Sequence, residues 1–89
     1  MIEREVEIVN RLGLHARAAA KLVHMAGAFQ SRITVAKDGE EVDAKSILGV
    51  LLLAAAQGSQ IRILCEGADE DEALRAVTEL IANRFDEES

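Results

Sequence analysis

Apolar residues recur at alternate positions from Ile2 to Val9 and with a helical period from Ala16 to about Ala26, and the change of period falls at Leu12-Gly13-Leu14-His15. A chain patterned this way makes a strand, turns at a glycine and starts a helix beside a histidine. In the first segment Ile2, Val6 and Ile8 share one face, while Glu3, Glu5 and Glu7 share the other, as in a half-buried strand with a solvated acidic side. In the second, Ala19, Leu22, Val23 and Ala26 form the apolar stripe, and Gly27 is placed for a left-handed helix end. Arg17, Lys21 and His24 share the outer face at helical spacing. They form a short basic ridge, with Lys21 and His24 read as solvated side chains. His24 lies too far round and along the helix to join His15 in one site.

The rest of the chain is equally well punctuated. Arg32 to Lys37, with Ile33 and Val35 inward, and Glu40 to Asp43, with Val42 inward, flank Asp38-Gly39, the dipeptide of a two-residue type I′ turn. Phe29, just before this hairpin, is placed to plug the core beneath the first helix. Ser46 suits an N-cap, accepting from the N–H of Leu48 or Gly49. Ile47 to Ala56 follows as a helical stretch apolar on nearly every face. A small domain cannot enclose all of it, so some of Ile47, Leu48, Leu51 and Leu52 must meet solvent and offer a partner surface. Gln60 to Glu66 is the last strand, with Ile61, Ile63 and Cys65 inward. Asp69 and Glu72 match a capping box, and Glu70 and Asp71 suit the first turn that follows. The closing helix buries Ala73, Leu74, Val77, Leu80 and Ile81 and has Arg84 near its end, before a tail, Asp86-Glu87-Glu88-Ser89, read as frayed. The order β-α-β-β-α-β-α predicts an α+β two-layer, open-faced sandwich: a four-stranded, mainly antiparallel sheet covered on one face by three helices.

The chemistry concentrates at His15. The first turn of a helix carries roughly half a positive charge and several N–H groups without internal partners, so it suits an anion. Arg17 adds a guanidinium whose fork matches phosphate oxygens. The dipole and Arg17 together favour the neutral imidazole, which is a nucleophile, and Arg17 with the N–H groups of Ala16, Arg17 and Ala18 would lie where the charge of a transferred phosphoryl group develops. The competing reading, a histidine that only caps the helix, is weakened because histidine is not a preferred N-cap.

Composition excludes several classes. At 89 residues the chain is long enough for one core, so residues 1–89 are expected to form a single domain. A formal net charge of −6 leaves no basic stripe for nucleic acid. Cys65 is the one cysteine, which excludes an internal disulfide, and two histidines with it show no metal-ligand spacing, so no metal and no cofactor are expected. The longest apolar run, Ile47 to Ala56, falls short of the ~20 residues a membrane span needs, and the acidic, alternating start is unlike a signal peptide. A cytoplasmic protein without membrane insertion is expected.

Asn10-Arg11-Leu12-Gly13-Leu14-His15-Ala16-Arg17-Ala18-Ala19-Ala20 resembles the active-site signature of the HPr family, the histidine phosphocarriers of the bacterial phosphoenolpyruvate-dependent sugar phosphotransferase system. Ala44-Lys45-Ser46-Ile47-Leu48-Gly49-Val50 resembles the second signature of that family, around a regulatory serine, and the spacing and length agree. The resemblance implies a sheet order of 1-4-2-3 in a single HPr-like domain. It implies that His15 accepts a phosphoryl group from phosphorylated enzyme I and passes it to enzyme IIA domains, with Arg17 stabilising it. The protein would be a monomer and no enzyme in the turnover sense, being itself the substrate of both transfers. It further implies phosphorylation of Ser46 by a serine kinase/phosphorylase, beside docking residues Ile47, Leu48, Leu51 and Leu52. Ala18 stands where most members carry proline, which leaves open a nitrogen-related or purely regulatory relay without sugar transport. A small ligand-sensing module of similar architecture is the reading from another class; it has no need of His15 and Arg17 at a helix start.

Overall fold

A computed structural model describes residues 1–88. Its elements are β1 (Ile2–Glu7), α1 (Ala16–Gly27), β2 (Arg32–Lys37), β3 (Glu40–Asp43), α2 (Ile47–Leu52), β4 (Gln60–Glu66) and α3 (Glu70–Ala82), followed by a 3-10 turn at Arg84–Asp86. The strands lie in the order β1-β4-β2-β3 and every neighbouring pair is antiparallel. This is the open-faced sandwich expected from the element order.

Register decides which side chains share the core. Ile2 faces Cys65, which faces Ile33; Val6 faces Ile61; and Ile63 faces Val35, which faces Val42. Because successive strand residues alternate sides, these three rows of partners share the face under the helices. Glu3, Leu64, Thr34 and Asp43 form a row across the other face. Between β2 and β3, Asp38 and Gly39 take φ of 52° and 85°, the two left-handed residues that a type I′ turn requires.

The helices depart from expectation at their ends. In α1, Ala18 completes the buried stripe with Ala19, Leu22 and Ala26, while Val23 is only half-buried. Gly27 is the last helical residue, not a left-handed terminator: the N–H groups of Ala28 and Phe29 bond back to Met25 and Ala26, a tight finish that any residue can make. Helix α2 stops at Leu52 rather than Ala56. Ala54 takes φ 50° there, which lets the carbonyl of Ala55 turn toward the N–H of Leu14 at 2.8 Å. Val50, Leu53 and Ala55 go into the core, so enclosure of this segment follows the needs of α1 rather than a continuous helical face.

Helix α3 buries Ala73, Leu74, Val77, Leu80 and Ile81 as expected, and Thr78 with them. Asp69 occupies the N-cap position but makes no cap bond with its side chain. Its carboxylate instead accepts from the N–H groups of Gln30 and Ser31, each at 2.9 Å, and from the Ser31 hydroxyl. The capping box is given up because a carboxylate that ties the connection between α1 and β2 to the start of α3 satisfies three donors rather than one. The Ser31 hydroxyl and the Gln30 N–H hold the Asp69 carboxyl below its ordinary range, outweighing partial burial.

Residues 84–87 do not fray. Phe85 is fully enclosed, joining the core cluster, whereas Phe29 is half-buried at its edge. To reach the core Phe85 sits in a run of three left-handed residues, Arg84, Phe85 and Asp86, at φ 58°, 54° and 62°. Arg84 therefore lies exposed in the 3-10 turn and not in the last turn of α3. Ser89, the end of that tail, lies outside the described residues.

Candidate functional site

His15 is held from both sides of its backbone. Before it, Asn10 and Gly13 close a turn: the N–H of Gly13 donates to the Asn10 carbonyl at 3.2 Å, and Asn10 Nδ2 donates to the Gly13 carbonyl at 2.8 Å. Leu14 is buried and its N–H is bound to Ala55. After it, α1 begins, with His15 as N-cap in extended backbone conformation, φ −76° and ψ 178°. Its ring is half-buried, so the imidazole has a fixed direction and still faces solvent.

The ring makes two polar contacts. Nδ1 accepts the N–H of Arg17 at 3.3 Å, and Nε2 lies 2.5 Å from Glu87 Oε2. A nitrogen that accepts carries its lone pair outward, and a nitrogen against a carboxylate carries a hydrogen, so the contacts assign the Nε2–H tautomer. His15 thus caps the helix, as in the competing reading, and its Nδ1 lies at the positive end of α1.

Around it, the structure assembles charge that the sequence left apart. Arg17, Lys21, Leu12, Asp86, Glu87 and Glu88 line one hollow, and of these Glu87 also meets the ring. Lys21, expected to be a solvated member of the ridge, donates to the Phe85 carbonyl at 2.6 Å and so clamps the tail to α1. Asn10 Nδ2 also donates to Glu87 Oε1 at 3.0 Å. Burial pushes the Glu87 carboxyl up, but the hydrogen bonds from His15 and Asn10 and the nearby charge of Lys21 outweigh this and hold it below its ordinary range. Asn10 is itself fully buried, and its Oδ1 has no hydrogen-bond partner among the described residues.

The other expected site residues are placed as follows. Ala16 and Arg17 are exposed at the first turn of α1, and Ala18 is buried behind it. Ser46 caps α2 by accepting the N–H of Gly49 at 3.2 Å. Ile47, Leu48, Leu51 and Leu52 are all exposed, Leu48 and Leu52 by about two-thirds, and Leu12 beside the His15 turn is exposed as well. The bond from Leu14 to Ala55 ties the histidine turn to the segment that follows α2. His24 is exposed further along α1 and is not brought to His15. Among the described residues, no cluster of three or more His, Cys, Asp or Glu is arranged to hold a metal ion.

Glu87, Asn10 and Phe85 are the residues that sequence reasoning did not assign to the site. One signal was present for the tail: an aromatic residue set in the run Arg84-Phe85-Asp86-Glu87-Glu88 is out of place in solvent, and its acidic neighbours complement the basic ridge.

The family model for PTS-HPr, the PTS HPr component phosphorylation site, matches residues 2–83. The chain belongs to the HPr family. It is 53% identical over 89 residues to the phosphocarrier protein HPr of Xylella fastidiosa, with the whole of each chain covered. It is 52% identical over 84 residues to that of Pseudomonas aeruginosa, covering 93% of each. A crystal structure of HPr from Thermoanaerobacter tengcongensis superposes with a TM-score of 0.97 at 46% identity, covering 100% of both chains. As a member of the HPr family the protein is a phosphocarrier of the phosphotransferase system and is itself the substrate of the transfers, not their catalyst. The family match ends at residue 83, so the tail that reaches His15 lies beyond it.

Proposed function

We propose that the protein accepts a phosphoryl group on Nδ1 of His15 from phosphorylated enzyme I and passes it to enzyme IIA domains. The observation that carries this reading is the orientation of the ring, whose Nδ1 lone pair points at the N-terminus of α1 while Nε2 is held by Glu87. A group bound at Nδ1 would meet the helix dipole, the first-turn N–H groups of Ala16, Arg17 and Ala18, and the guanidinium of Arg17, all of which favour its negative charge. Residues 1–89 act in this as one cytoplasmic domain and as a monomer.

The face made by Ile47, Leu48, Leu51 and Leu52 docks the partners, and Ser46 is the site of a regulatory kinase/phosphorylase. Its exposed leucines and their connection to the His15 turn support the docking role. A phosphate on Ser46 would add about −1.5 to −2 charges beside those leucines, changing docking while sparing the fold. The test is incubation with enzyme I and phosphoenolpyruvate: an acid-labile, alkali-stable phosphoryl adduct is expected on the protein and not on His15→Ala. Absence of the adduct, or its persistence in His15→Ala, would overturn the reading.

A further inference from the structure

We infer that Glu87, aimed by Asn10 and anchored through Phe85, is a positioning residue for His15, fixing the ring tautomer and balancing the positive charge the ring gains on phosphoryl transfer. The inference rests on the phosphocarrier reading above and assigns that site a residue from the far end of the chain.

Three independent features of the structure converge on Glu87. Its two carboxylate oxygens are divided between two tasks: Oε2 meets His15 Nε2 at 2.5 Å and Oε1 takes Asn10 Nδ2 at 3.0 Å. Asn10 is arranged for that contact at a cost. Its amide donates to Gly13 and to Glu87, both acceptors, which leaves Oδ1 buried and unpartnered. A buried orphan oxygen is unfavourable, and reversing the amide would only set that oxygen against the Glu87 carboxylate and the Gly13 carbonyl. Finally, the backbone delivering Glu87 is held by force. Three successive non-glycine residues adopt left-handed conformations, each disfavoured for a residue with a Cβ, and burial of Phe85 with the bond from Lys21 to its carbonyl holds them there.

The consequence for transfer follows from the electron count. The lone pair on Nδ1 forms the nitrogen–phosphorus bond as the bond from phosphorus to the donor atom of enzyme I breaks, its electron pair leaving with that atom. The hydrogen stays on Nε2, so the ring becomes cationic, and the Glu87 carboxylate already lies against the hydrogen that carries much of that charge. A carboxylate orienting an imidazole whose other nitrogen reacts is the arrangement by which a third group keeps a functional histidine in one tautomer.

The experiment uses the full chain, enzyme I and phosphoenolpyruvate, with wild type, Glu87→Ala and Glu87→Gln. Nitrogen-15 NMR of the imidazole reads the tautomer before any transfer, and quenched flow reads the transfer rate and its dependence on enzyme I concentration. Wild type is expected to hold hydrogen at Nε2. Glu87→Ala is expected to mix the tautomers and slow the maximal transfer rate by about 10- to 100-fold, taking the range known for groups that orient metal-bound histidines. KM for enzyme I should stay within about twofold, since uniform binding is untouched. Glu87→Gln should keep the tautomer through its amide oxygen and still lose rate through the missing charge. A Glu87→Ala ring and rate equal to wild type overturns the assignment, as does a slowed rate with an unchanged ring. Wild type that takes no phosphoryl group overturns the carrier reading itself, a different result from a competent wild type indifferent to Glu87.

Discussion

A Cβ on Gly13 would lie 2.5 Å from the carbonyl oxygen of Ala55, so the turn before His15 and the segment after α2 meet through bare backbone. The neighbouring bond from Leu14 N–H to that same carbonyl locks the contact. The histidine turn is therefore fixed against the segment that follows α2, and the glycine of the signature is there for close approach as much as for its φ of 66°.

Gly13→Ala is accordingly expected to destabilise the protein by about 2–4 kcal/mol, from the left-handed backbone and the overpacked contact together. Urea denaturation would measure it as a lower midpoint with an unchanged slope. The same variant should take up phosphoryl groups more slowly, because its N-cap histidine is displaced.

Phe85→Ala removes a fully enclosed aromatic and is expected to cost about 3–5 kcal/mol. The loss should also free Glu87 from His15, so the imidazole signals of Phe85→Ala should resemble those of Glu87→Ala. A fully solvated tail would instead predict near-neutral stability.

Ser46→Ala removes the α2 cap and is expected to cost about 0.5–2 kcal/mol. Ser46→Asp keeps an acceptor at the N-cap and should retain most of that stability, while raising KM for enzyme I roughly tenfold through charge beside the docking leucines, equivalent to ~1.4 kcal/mol. Thermal melts and transfer kinetics on the pair separate the two effects.

Leu48→Glu and Leu52→Glu change side chains that lie mostly in solvent, so stability should move by no more than about 0.5 kcal/mol. Each should weaken docking of enzyme I by about 5- to 30-fold if the leucines anchor the interface. Calorimetric titration against enzyme I provides the measurement, and an unchanged affinity would remove these residues from the docking face.

Asp69 gives the fold a defined acid dependence. The Ser31 hydroxyl and the Gln30 N–H lower its carboxyl in the folded state. A lowered carboxyl contributes stability that is complete above its unfolded value, near 3.9, and is lost as pH falls through the folded value. Asp69→Asn should therefore be less stable than wild type at neutral pH, and the two curves should converge below pH ~4. A difference that stayed constant down to the acid end would place the effect elsewhere.

Local signals determined much of this protein from the sequence alone. The hairpin at Asp38-Gly39, the bounds of β4, the buried stripe of α3, the cap at Ser46 and the start of α1 at His15 depend on turn chemistry, period and caps, which act within a few residues. The same locality explains the errors. Asp69 matched a capping box, and only the approach of Ser31 in the folded chain offered its carboxylate more donors. The apolar run to Ala56 read as one helix, and only the need to meet Leu14 ended it at Leu52. The carboxylate on His15 was the least legible feature, because 72 residues separate the two and no period links them. Whether an acidic tail frays or closes depends on whether its one aromatic finds space in the core. Phe85 does, and its burial is the tertiary decision that brings Glu87 to the ring.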